Sequence, residues 1–449
     1  MRQLPKFGVL LVVLALITAA CSSGTTDTTE APATTAAPAA TEAPATTAAP
    51  ATTEAPAATE APAETEAPME MTPVALTMGY LLPQSGGLAV IIDALVKPIE
   101  MAVEEINAAG GNVTLVPADS GTDPAVASQN VDQLLGEGVP AIIGAAATGV
   151  TLSVIDKITG SEVVQCSPSN TGAALSTYDD GGFYFRTAPS DVLQGPALAD
   201  LIADDGWADV AVIYRNDEYG SGFNDAVSQG LQDSGLSVVA SVAYDPAGTT
   251  FDAEVAQVVE ANPEAVVVVS FAEGAAVMQA MIEAGAGPDA VAIYVTDGFK
   301  DSVSADAVDP DDASVLEGIK GTAPSAAPAS GEATFPDRFA AFAPDVPTIF
   351  SAQSFDCAVV IALAAQQGGA ADGPTIQANM NSVTEGGEKC TSYAECYELL
   401  AAGADIDYDG ASGPLDFTDV GEPGVGTYDI YEYDAEGSAV TFDQLTYGG

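Results

Sequence analysis

The chain has no histidine, only ten lysines and arginines together, one tryptophan and five cysteines in 449 residues. Without histidine there is no Ser-His-Asp or Cys-His nucleophile system, and the commonest zinc site types are gone as well. Against so little base stand 64 Asp and Glu, for a formal net charge of −54. Such a charge makes nucleic acid and anionic membrane surfaces poor partners and reads as a solvated acidic surface, as in proteins kept soluble at raised salt. A carboxylate-only hydrolase and a carboxylate calcium site remain open. No compact Asp-x-Asp-x-Asp-Gly loop supports calcium, and the acidic run 309–312 is more simply a solvated loop. No metal and no cofactor is therefore expected.

Long apolar runs are also lacking, except at the start. Arg2 and Lys6 precede an apolar stretch from Phe7 to Ala20, too short for an ordinary transmembrane helix and laid out like a secretory signal peptide. Ile17, Thr18, Ala19 and Ala20 then lead into Cys21. The small residues before the cysteine resemble a bacterial lipobox, which implies cleavage before Cys21 and its acylation; several acyl chains make a stable anchor. Residues 22 to about 72 are nearly all Ala, Thr, Pro and Glu, with TEAP recurring. Large apolar residues are too few there to build a core. At this proline density the segment is a tether, reaching on the order of 150 Å if fully extended at ~3.1 Å per residue. Residues 1–20 are thus expected to be the signal and 21–72 the lipidated cysteine with its stalk.

From residue 73 short apolar runs alternate with longer amphipathic segments. Strands are expected at 74–82, 113–118, 140–146, 163–167, 209–214, 237–244, 265–271 and 292–297, and helices at 98–108, 124–135, 219–233, 252–261 and 274–284. Pro98 suits a first helical turn, and Gly110 and Gly235 suit helix stops. Continuous Val and Ile runs mean strands buried on both faces, and βαβα alternation means parallel sheets. About 375 folded residues exceed what one core usually serves, so the fold class is α/β with two lobes.

The strand ends carry the chemistry. After successive strands come PQSGG, AAATG, SPSNTG, RNDEYGSG, AEG and TDGF. In open α/β sheets the ligand sits at the carboxyl ends of the strands. Hydroxyls and helix N-termini suit a guest carboxylate, and a side-chain carboxylate suits an ammonium. Taken singly, Ser85 serves as a turn residue, Thr148 and Ser167 as helix caps, Tyr219 as a packing aromatic and Asp297 as an Asp-Gly turn. Taken together, six polar loops on one edge describe a site for a small zwitterion.

The ordered motifs LLPQSGG, EINAAGGN, AIIGAAATG, SPSNT, FYFRTAPSDVLQG, YRNDEYGSGF, SFDCAVVIALA and GASGPLDF resemble the type I extracellular solute-binding proteins, receptors of ABC importers for branched-chain amino acids and related amides. The resemblance covers nearly all of 73–449. It implies two hinge-connected Rossmann-like lobes, about 73–190 with 321–405 and 191–320 with 406–449, closing on a ligand without catalysis. Carried over by position, it sets the guest carboxylate against Thr148, Ser169 and Thr171 and the ammonium against Asp297, with Ser85, Tyr219 and Phe271 completing the pocket. Two positions depart from the pattern: Ile91 stands where such receptors often have tyrosine, and Asp297 is shorter than the usual glutamate. The implied partners are a small-molecule ligand, an ABC permease and, through the lipid, a membrane, with the receptor itself a monomer.

Four cysteines after Cys21 allow three complete pairings, and export favours oxidation. Cys390 and Cys396 are close enough in KCTSYAECYELL for a local bridge. Cys166, beside the expected site, and Cys357, on the segment resembling the return into the first lobe, either pair with each other or stay as buried free thiols. Receptors for amides or urea, a ligand-sensing surface lipoprotein, and a secreted carboxylate hydrolase are the competing functions.

Overall fold

The computed structural model describes residues 71–449. The expectations for Cys21 and the tether lie outside the described residues. A first sheet is built from β1 (Ala75–Leu82), β2 (Asn112–Asp119), β3 (Ala141–Gly144), β4 (Val164–Ser167) and β5 (Tyr184–Arg186), with α1 (Ile92–Ala108), α2 (Pro124–Glu137) and α3 (Thr148–Thr159) between them. All its strands are parallel, in the order β2-β1-β3-β4-β5. Every residue of β3 and of β4 is buried, as expected of a sheet covered by helices on both faces.

The chain then crosses to a second sheet through α4 (Asp191–Asp204), β6 (Asp209–Arg215), α5 (Glu218–Asp233), β7 (Ser237–Tyr244), α6 (Asp252–Glu260), β8 (Ala265–Val269), α7 (Gly274–Glu283), β9 (Ala292–Val295), α8 (Ala305–Val308) and β10 (Lys320–Pro324). It returns through α9 (Phe335–Phe342) to α10 (Ser351–Gly368), which lies against α1 and the first sheet. There follow α11 (Gly373–Met380), β11 (Glu388–Cys390), α12 (Tyr393–Ala401), β12 (Ile406–Gly410) and β13 (Gly413–Pro414), and finally β14 (Val425–Tyr433) and β15 (Ala439–Gly448). The last two strands complete the second sheet, in the order β15-β14-β10-β9-β8-β6-β7, with β14 and β15 antiparallel to their neighbours. The strands β11, β12 and β13 form a small sheet of their own.

The lobe limits drawn at 320/321 and 405/406 do not coincide with this pairing. The strand β10 stays in the second sheet to Pro324, and β12 pairs with β11 beside α10, so the C-terminal segment joins the second sheet only at β14. Asp356 explains why the β12–β13 hairpin stays with α10. Its buried carboxylate accepts from the Tyr408 hydroxyl (2.8 Å) and from the N–H groups of Ala411 (2.9 Å) and Ser412 (2.8 Å).

A second correction concerns Pro98, which stands well inside α1 rather than in its first turn. The lost N–H is tolerated because Leu95, Ile99, Ala102 and Ile106 bury one face of the helix. Gly110 and Gly235 do take positive φ just beyond α1 and α5. Both disulfides form: Cys390 pairs with Cys396, and Cys166 in β4 pairs with Cys357 in α10, across 191 residues. Among the described residues no helix is long and apolar enough to cross a membrane.

Candidate functional site

Strand ends from both sheets meet at one cavity. Ala146, Ala147 and Thr148 follow β3, and Ser169 and Thr171 follow β4. From the second sheet come Tyr219 on α5, Phe271 after β8, and Asp297, Gly298 and Ser302 after β9. Leu88, Ile91 and Phe350 close it. The cavity volume is about 20 Å³. This is far below the usual size of a ligand pocket, so a guest larger than a water needs the walls to move apart.

One wall offers hydrogen-bond donors. The chain enters α3 at Thr148, and the first N–H groups of a helix have no intrahelical acceptor. Thr148 Oγ1 accepts from the Gly172 N–H at 3.3 Å, so its hydroxyl proton is left to donate elsewhere. Gly172 has to be glycine here, since a Cβ would lie 2.4 Å from Thr148 Cγ2. Ser167 Oγ donates to the Ala145 carbonyl at 2.8 Å and Ser169 Oγ to the Ala146 carbonyl at 3.2 Å, tying the two loops together. Asn170 adds a bond from Nδ2 to the same Ala146 carbonyl, at 2.7 Å. Free helical N–H groups plus a hydroxyl make a seat for a carboxylate.

The opposite wall is acidic and aromatic. Asp297, 4% exposed, accepts at Oδ1 from the Tyr219 hydroxyl (2.9 Å) and from Gln194 Nε2 (3.1 Å). Burial pushes its carboxyl up to about 6, although these two donors and the N–H groups of Asp297 and Gly298 pull the other way. Tyr219 stacks on Phe271, with centroids 5.3 Å apart and planes 16° from parallel. The Arg215 guanidinium covers the far face of that stack, 3.6 Å from the Phe271 centroid, and is held by Asp217 (2.6 Å) and Glu273 (2.8 Å).

Of the residues expected from sequence, Thr148, Ser169, Thr171, Tyr219, Phe271 and Asp297 line this cavity, and so does Ile91. Ser85 does not line it. Its hydroxyl donates to Asp119 Oδ2 at 2.6 Å, and the same carboxylate takes the N–H groups of Gln84 and Gly121. Sequence reading missed Leu88, Ser302 and Phe350, and also Asp191 and Gln194 on α4 just behind the wall. Asp191 is fully buried, and neither carboxylate oxygen has a hydrogen-bond partner among the described residues. Burial first, and the charge of Asp297 second, push its carboxyl well above the usual range; the nearby Thr171 hydroxyl and Arg186 act in the opposite sense. The SD of TAPSDVLQG was the available signal, a serine cap followed by an acid at a helix start. Phe350 sits at φ 57° immediately before α10, which nothing in the sequence announces.

Comparison with known proteins agrees with this fold. A family described as periplasmic binding protein matches residues 75–438. The chain is 30% identical over 216 residues to Leu/Ile/Val-binding protein homolog 3 of Brucella melitensis, an alignment taking in 47% of this chain and 58% of the relative, so the chain spans little more than half of that protein. It is 27% identical over 367 residues to the chemotactic signal transduction system substrate-binding protein BasB of Halobacterium salinarum, covering 78% of this chain and 85% of BasB. The fold is similar to that of the branched-chain amino acid transporter substrate-binding protein LivJ from Streptococcus pneumoniae, solved with isoleucine. There the TM-score is 0.67 at 20% identity, over 84% of this chain and 100% of the other.

Proposed function

Because this chain belongs to the periplasmic binding protein family, a family of substrate-binding receptors rather than enzymes, we propose that it captures a small α-amino acid between its lobes. The guest carboxylate is taken by the Thr148, Ser169 and Thr171 wall and the N-terminus of α3. The ammonium goes to Asp297, whose carboxylate Tyr219 orients. One observation carries this reading: one cavity has free helical N–H groups on one side and, on the other, a buried carboxylate that forms no ion pair among the described residues. A zwitterion satisfies both walls at once, and the apolar Leu88, Ile91 and Phe350 stand beside it to pack its side chain.

An extracytoplasmic location accords with the family. Anchoring through lipid on Cys21, monomeric state and delivery to an ABC permease belong to the same proposal. BasB, similar along most of both chains, favours a second destination, a membrane chemoreceptor in place of a permease. Uptake and chemotaxis assays on a deletion strain separate the two.

Calorimetric titration of two variants tests the site. In a dry cleft, removing the carboxylate leaves the guest ammonium buried and unpaired, which costs roughly 2 to 5 kcal/mol. Asp297→Ala is expected to weaken amino-acid binding by well over tenfold. Thr148→Val is expected to cost less, about 1 kcal/mol, because only one neutral donor is lost and backbone N–H groups remain. If Asp297→Ala binds like the parent, the guest carries no ammonium at that position and an amide or sugar receptor is the better reading.

A further inference from the structure

The hydroxyls around the cavity differ in one respect. Those of Ser167 and Ser169 donate to backbone carbonyls, and Thr148 Oγ1 accepts from Gly172. Ser302 is also buried, at 9% exposed, yet its Oγ has no hydrogen-bond partner among the described residues. It lines the same cavity as the apolar Leu88, Ile91 and Phe350. Its backbone is fixed by its own turn, with the Ser302 N–H on the Phe299 carbonyl at 3.1 Å. A buried hydroxyl left unpaired costs free energy that a bonded one does not, so a cavity occupant that offers a hydrogen-bonding atom is favoured at this position.

We propose that Ser302 is a specificity-determining residue, and that the guest side chain is short and carries a hydrogen-bonding group, the threonine class of α-amino acid rather than the purely aliphatic one. This rests on the amino-acid reading of the site. The cavity is small, and a longer polar side chain demands more space than a short one. The apolar residues sharing the cavity pack the methyl group of such a side chain while Ser302 takes its hydroxyl. A short carboxamide has the same chemistry and belongs to the same class.

Threonine and valine make the test, since they differ by a hydroxyl in place of a methyl at nearly equal volume. The full chain is titrated calorimetrically with L-threonine and with L-valine, and the titrations are repeated on Ser302→Ala. Threonine is expected to bind about tenfold more tightly than valine, the worth of one neutral hydrogen bond in a dry site. In Ser302→Ala that preference disappears, and the guest-free melting temperature does not fall, since the variant removes an unpaired hydroxyl. Equal or tighter valine binding in the parent overturns the proposal while leaving the amino-acid reading intact. An unchanged threonine preference in Ser302→Ala overturns it equally. If neither amino acid binds and a non-zwitterion does, the amino-acid reading fails and this proposal fails with it.

Discussion

Asp297 lines the small cavity and Asp191 is buried close to it, and the protonation of these two carboxylates carries a signature. Burial raises the Asp297 carboxyl to about 6, and Asp191 lies well above its usual range for the same reason, with the charge of Asp297 adding to it. In the unfolded chain both titrate near 4. Between about pH 4 and pH 6 the folded, guest-free protein therefore holds more protons than the unfolded one, so its stability falls as pH rises through that window. Guest binding has the opposite dependence. An ammonium guest needs an ionised Asp297, so its affinity is expected to fall as pH drops below about 6, with proton release on binding. Calorimetry in buffers of different ionisation enthalpy checks this, and Asp297→Asn is expected to flatten both profiles. Six of the seven residues expected at the site line one cavity, and their clustering was legible because they follow apolar strand runs, where an α/β sheet places its ligand. Ser85 obeys that rule in sequence but is drawn away by Asp119, thirty-four residues on. Ser302 and Phe350 were illegible because burial and backbone conformation are properties of the folded surroundings, and Asp191 offered only the Ser-Asp helix start.

At the scale of elements, the loop after β4 is held by a device that sequence gave no reason to expect. Arg186, at the end of β5, is fully buried. Its Nη1 donates to the carbonyls of Asn170 and Gly172 at 3.1 Å each, its Nη2 to Ser176 Oγ at 2.8 Å, and its Nε to Glu422 at 2.9 Å. Glu422 lies on the segment between β13 and β14, which carries the chain back to the second sheet. The pair thus ties that crossing to the loop bearing Ser169 and Thr171, and the Asp191 N–H closes on the Thr171 carbonyl at 2.7 Å. Breaking a buried pair costs about 3 to 5 kcal/mol when one charge is left behind, and Glu422→Gln keeps the shape while removing the charge. It is expected to speed hydrogen exchange in residues 167–176 while leaving β8 and β9 protected, and to weaken guest binding. Uniform loss of protection across both sheets would assign the pair a purely global role. Most of the parallel strands, and the helices α1, α2, α5, α6 and α7, were legible from Val and Ile runs and helix periodicity, whereas β5, β10, α3 and α4 were not expected. The antiparallel β14 and β15 were not, because β15 is largely exposed and lacks a continuous apolar run. The early start of α1 was hidden by Pro98, whose ordinary place is a first turn.

On the scale of the whole molecule, the two sheets share a cavity whose walls come from both, so any guest that bridges them favours closure by differential contact. Small-angle scattering is expected to show a smaller radius of gyration at saturating guest, and an unchanged radius would count against hinge closure. The two-lobe α/β plan was legible from length and from the βαβα alternation. The lobe limits were less so, because β10 pairs on both of its edges within the second sheet and carries that lobe on to Pro324. The central claim is that the cavity recognises both ends of a zwitterion, and the most direct measurement is a calorimetric comparison of L-valine and L-threonine with isobutylamine, which lacks the carboxylate, and isovalerate, which lacks the ammonium. The account predicts binding of an amino acid and a loss of at least a hundredfold for each truncated compound, since each leaves one wall of a dry cleft unpaired. Binding of isovalerate or isobutylamine as tightly as of either amino acid would contradict it.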